Sequence, residues 1–182
     1  MISAPPPPPS ATTSPAPGDK AVAIVGPSNS GKTELICRLL EWFVSHGVRV
    51  AVLKHSHKLH LGDEGKDTWR YRQSGGRLVA LAAPGLLQVT RALPEEPSLA
   101  AVLAELTPEV DLILVEGYKT SDLPKVALPA AGAALPLPDY PRLVAWVSPA
   151  PLPTDLPVFH PREVADIGRF IQQQLACRHD GP

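Results

Sequence analysis

Apolar positions along the chain follow two periods in turn. Residues 21–25, Ala-Val-Ala-Ile-Val, are an uninterrupted apolar run of strand type. After a stretch of glycine, hydroxyl and amide residues, Leu35, Ile36, Leu39, Leu40, Phe43 and Val44 recur at helical spacing, and Gly47 follows as the stop. Residues 48–53 are again apolar and β-branched, too continuous for a half-exposed strand, which predicts a parallel sheet covered on both faces.

The remaining pattern extends this alternation. A short helix is expected between Gly65 and Gly75, with Trp69 packed inward if its basic face is a solvated one, then two sheet-building strands at 77–83 and 86–92 around the turn dipeptide Pro84-Gly85. Residues 97–106 predict an amphipathic helix with proline at its start, where the missing N–H is no loss. The run 112–116 reads as a strand of four buried apolar residues ending in Glu116. Residues 125–128 and 143–147 are short strands joined by an Ala/Pro linker. Pro149, Pro151, Pro153 and Pro157 exclude regular structure until Val158, and a last helix over 161–176 presents Val164, Ile167, Ile171 and Leu175 as one stripe.

Composition sets the limits of this chain. Its 182 residues, 44% of them apolar, are enough for one good core. Residues 1–19 hold seven prolines, five of them consecutive, and predict a disordered tail, either a passive extension or a site for a proline-binding partner. The folded domain is expected over 20–178, with a short C-terminal tail at 179–182. A net charge of −1 and the absence of polybasic clusters argue against nucleic-acid or membrane partners. Without a secretory leader or a membrane span, the expected location is cytoplasmic. Cys37 and Cys177 lack metal spacing and read as buried, reduced thiols.

The chemistry centres on Gly26-Pro27-Ser28-Asn29-Ser30-Gly31-Lys32-Thr33, two glycines four residues apart followed by Lys and Thr. This is the phosphate-binding Walker A pattern, and it lies where that chemistry requires, between a strand and a helix. The turn lets backbone N–H groups converge on phosphate oxygens while the helix N-terminus adds its dipole. Lys32 is expected to reach the β- and γ-phosphates, its ammonium unpaired without ligand, and Thr33 to bind Mg2+. Glu116 at the end of its strand suits the carboxylate that holds or orients Mg2+ beside the Thr33 hydroxyl, and Lys119 adds a cation in the same region. The predicted fold is therefore α/β, a P-loop NTPase-like three-layer sandwich with a mainly parallel sheet.

Two further groups have more than one reading. Lys54, His55, His57 and His60 follow the second strand at its carboxyl end, where ligands of open sheets collect, and could serve phosphate or substrate contacts, a metal, or plain loop polarity. Lys66, Arg70, Gln73 and Arg77 recur at helical spacing as an anion-binding face or as a solvated one.

Together these segments resemble the molybdopterin-guanine dinucleotide biosynthesis protein B (MobB) family over residues 21–175. The marks are Lys54-His55-Ser56-His57, the helix from Gly65-Lys66-Asp67 to Gly75, and Leu112-Ile113-Leu114-Val115-Glu116-Gly117-Tyr118-Lys119. The resemblance implies a dimeric GTP-binding protein with weak GTPase activity that assists the nucleotidyltransferase MobA in attaching GMP to molybdopterin. It also implies residues 26–33 as phosphate site and Glu116 as Mg2+ ligand. The chain departs from the family pattern at Glu34, where a second hydroxyl is common, after His57, and at Ser148, where an acidic residue often stands. A small-molecule kinase with Arg70, Arg72 and Arg77 as lid cations is the competing reading, followed by a nucleotide-binding scaffold that has lost hydrolysis.

Overall fold

The computed structural model describes residues 18–56, 58, 61–130 and 136–179. His57, His60, most of the expected N-terminal tail and the last three residues lie outside these. Six strands form one parallel sheet in the order β2-β5-β1-β6-β7-β8: β1 (Ala21–Val25), β2 (Val50–Lys54), β5 (Leu112–Glu116), β6 (Lys125–Ala127), β7 (Leu143–Val147) and β8 (Val158–Phe159).

Side-chain alternation along the central strands divides the core into two layers. Val22 and Ile24 of β1, with Leu112 and Leu114 of β5, pack against α1 (Lys32–Ser45) and α4 (Val164–His179). Ala21, Ala23 and Val25, with Ile113 and Val115, face α3 (Leu99–Leu106) on the other side. The expected three-layer sandwich is present. Ser98 caps α3 by accepting the Ala101 N–H, so the helix begins at Leu99, two residues after the expected start at Pro97.

Other expectations are corrected. β2 is not covered on both faces, because it is the edge of the sheet, and Val52 is 42% exposed. The strands β3 (Leu78–Ala83) and β4 (Leu86–Arg91) do form a hairpin at Pro84-Gly85, but it stands apart from the main sheet. Trp69, on α2 (Asp67–Gln73), is only half-buried, since that helix buries no residue. Both cysteines are exposed, because Cys37 falls on the outer face of α1. The final helix begins at Val164, after the Glu163 carboxylate accepts the His160 N–H at 2.6 Å. Among the described residues, no helix is long and apolar enough to cross a membrane.

Candidate functional site

Register, as much as sequence, builds the site. In the parallel ladder Ile24 pairs with Glu116, and Glu116 with Lys54, so the ends of β1, β5 and β2 finish in one row. The chain leaves β1 at Gly26, whose φ is 150°, and a Cβ there would meet the Leu128 carbonyl oxygen at 2.4 Å. Only glycine fits this close approach of loop to β6. Asn29 (φ 60°) and Gly31 (φ 89°) complete the curl, and α1 starts at Lys32 with no side chain capping its N-terminus. Its first N–H groups are therefore left without a side-chain cap, the arrangement that suits an anion.

A cleft of about 1010 Å³ opens over this row. Of the residues expected in the site, Gly26, Ser28, Asn29, Gly31, Lys32, Thr33, Lys54, His55, Glu116 and Lys119 line it. Pro27 and Ser30 belong to the loop beneath. Lys66 and Arg70 do not reach the wall, and Arg70 stands 4.0 Å from Asp67 on its own helix. Arg72, one of the candidate lid cations, is engaged with Asp63 at 2.6 Å, with 15% and 16% of the two side chains exposed.

Inside the cleft the charges hold one another. Thr33 Oγ1 donates to Glu116 Oε2 at 3.3 Å, while Lys54 Nζ lies 3.4 Å from Glu116 Oε1. Lys32 is not unpaired as expected: its ammonium folds back on its own loop and donates to the Pro27 carbonyl at 2.5 Å. Burial lowers its pKa, an effect opposed by Glu116 and reinforced by Lys119 and Lys54. Glu34 is partnered by Arg38 at 2.8 Å, which offsets the repulsion that a carboxylate would bring beside phosphates. The Ser30 hydroxyl is buried in the loop without a hydrogen-bond partner.

Several contributors escaped the sequence reading. His55 is pinned by Glu96, whose Oε1 is 2.7 Å from Nε2, and stacks on Tyr118 with ring centroids 4.3 Å apart. Tyr118 itself has φ 49°, and Gly117 (φ 105°) carries no Cβ that could press on the His55 side chain. Glu96 lies three residues before the start of α3 and is 41 residues from His55, so nothing local in the sequence announces the pair. Cys37 and Thr120 also line the cleft. Among the described residues no three His, Cys, Asp or Glu side chains gather as a metal site. A metal here would depend on hydroxyl, carboxylate and phosphate oxygens together.

The sequence pattern of molybdopterin guanine dinucleotide synthesis protein B matches residues 21–148. The molybdopterin-guanine dinucleotide biosynthesis adapter protein of Haemophilus influenzae is 33% identical over 153 residues, 83% of this chain and 83% of that one. The Escherichia coli adapter protein is 27% identical over 161 residues, 85% and 92% of the two chains. The crystal structure of a MobB protein homolog from Bacillus stearothermophilus superposes with a TM-score of 0.67 at 27% identity, covering 87% of this chain and 99% of that one.

Proposed function

The chain belongs to the molybdopterin guanine dinucleotide synthesis protein B family, and from that premise we infer that it is an accessory protein of molybdenum cofactor biosynthesis. In this reading it binds GTP with Mg2+ and assists a MobA-type nucleotidyltransferase in attaching GMP to molybdopterin. The observation that carries the reading is the convergence of the glycine loop, Lys32, Thr33 and Glu116 on one cleft.

Residues 26–33 would cradle the phosphates through backbone N–H groups, with Lys32 exchanging the Pro27 carbonyl for β- and γ-phosphate oxygens. The Thr33 hydroxyl and the Glu116 carboxylate are hard oxygen donors and fit a magnesium ion, which when bound neutralises charge on the phosphates. Lys54, now 3.4 Å from Glu116, and Lys119 both line the cleft and would supply cations to the anion. No arginine lines the cleft among the described residues, which supports slow intrinsic hydrolysis. In P-loop GTPases an arginine on the transferred phosphoryl group is worth about a thousandfold or more in rate.

The likeness to adapter proteins fits a chain that presents unpaired surface. The hairpin exposes Leu78, Leu81, Leu86, Leu87 and Val89, and we assign it to contact with a second copy in a homodimer. Leu87→Asp is expected to convert dimer to monomer by analytical ultracentrifugation, and an unchanged dimer would place the contact elsewhere. Function is tested by reconstitution of guanine dinucleotide cofactor formation from molybdopterin, GTP and a MobA-type transferase. Addition of this protein should stimulate the reaction. No stimulation, or rapid phosphoryl transfer to a small metabolite instead, would favour the kinase reading.

A further inference from the structure

A second cleft, about 760 Å³, lies on the α3 side of the sheet between the start of α3 and the segment that follows β5. Tyr118 and Thr120 line both this cleft and the first, so one short segment forms the wall between them. Two features show that the wall is held in place against local preference, and a third is a polar group buried within it. Among the described residues, only Asn29, Tyr118 and Arg142 carry a side chain at positive φ, 60°, 49° and 55°. Asn29 belongs to the phosphate loop, and the other two line the second cleft. Cβ sterics disfavour that backbone region, and such residues cluster where function requires them.

Lys125 is the second feature. It is fully buried, and its ammonium donates to the carbonyl oxygens of Ser121, of Leu123 at 3.0 Å and of Pro141 at 2.8 Å. Burial lowers its pKa, and an apolar residue of similar volume would avoid that desolvation. What the lysine adds is a tie between the segment after β5 and the residue before Arg142, which fixes the spacing of the two walls. The third feature is Ser121, whose hydroxyl oxygen is buried in the wall without a hydrogen-bond partner.

The lining is apolar below and charged above. Leu99, with the edges of the buried Leu103 and Leu123, supplies aliphatic lining, while Asp122, with Arg142 Nη1 at 3.4 Å from its Oδ2, has an 88% exposed side chain. Aliphatic walls suit the face of a planar ring, and a carboxylate accepts two adjacent N–H donors from its edge. We propose that this cleft takes a 2-amino-4-oxopyrimidine ring, the edge shared by pterins and guanine, and takes it from a pterin. The choice of pterin rests on the function proposed above, in which GTP already fills the first cleft.

The test titrates the full chain, saturated with MgGTP, with 6-hydroxymethylpterin by the probe's own fluorescence, and in a parallel arm with guanosine. Pterin binds saturably while GTP stays bound, and more tightly than guanosine. Ala100→Trp, which fills the cleft from an exposed position on α3, abolishes pterin binding, and Asp122→Asn weakens it about tenfold, the loss expected for a charge-assisted hydrogen bond, with GTP affinity and melting temperature unchanged in both. Guanosine binding as tightly as pterin overturns the pterin assignment. Displacement of pterin by GTP, indifference to both substitutions, or no pterin binding at about 1 mM with GTP bound overturns the cleft. Failure of GTP itself to bind would instead sink the reading of the first cleft.

Discussion

Glu116 stands between Ile24 and Lys54 because of strand register, and its two oxygens already hold Thr33 and Lys54. Single residues around it answer to single constraints. Gly26→Ala would drive a Cβ into the Leu128 carbonyl at 2.4 Å and the Ser30 hydroxyl at 2.8 Å, at a φ that L-residues rarely adopt. We expect a loss of about 1–3 kcal/mol in stability, read from urea unfolding, together with weaker GTP binding. An alanine variant as stable as the parent would mean that the loop does not approach β6 so closely. The carboxylates make a separate prediction. Arg49, bonded to Asp111, and Arg72, bonded to Asp63, hold both carboxyls down at about 2, below their ordinary 3.8. A carboxyl depressed in the folded state stabilises above its unfolded pKa, so this contribution is intact at neutral pH and is lost as pH falls from about 4 to about 2. Asp111→Asn should flatten the acid limb of a urea-midpoint profile and leave the neutral region nearly parallel to the parent. An unchanged acid limb would remove Asp111 from the account.

Elements show which sequence signals were sufficient. The strand at 21–25, the glycine loop, the helix stripe from Leu35 and the strand ending at Glu116 were legible because local period and burial agree there. The edge position of β2 was not, since an apolar run says nothing about how many neighbours its strand will have. The detached hairpin was misread for the same reason: alternation predicts pairing between β3 and β4 but not their attachment to a larger sheet. Lys125 lay hidden because its three carbonyl partners belong to two loops whose approach only the fold creates. Contact between helices gives another check. Gly168 of α4 lies so close to α1 that a Cβ would come within 2.4 Å of the Trp42 ring. Gly168→Ala should lower stability by about 1–3 kcal/mol through overpacking, despite alanine's better helix propensity. A stabilised variant would show that the two helices can separate freely.

For the whole molecule, the two core layers are built from residues 21–175, and the first cleft sits where three parallel strands end beside a helix N-terminus. Deleting residues 1–17 should therefore leave the melting temperature within a degree or so, and a drop of many degrees would extend the domain boundary into that segment. The fold and the phosphate loop could be read from the chain, whereas the latch on Lys32, the Glu96 contact to His55 and the second cleft required the assembled sheet. The central claim is that residues 26–33 with Glu116 form a magnesium–GTP site. It is tested most directly by calorimetric titration of MgGTP into the parent and Lys32→Ala proteins. Binding to the parent, with loss of binding in a variant of unchanged melting temperature, is the predicted result. Equal affinity in the two proteins would contradict it.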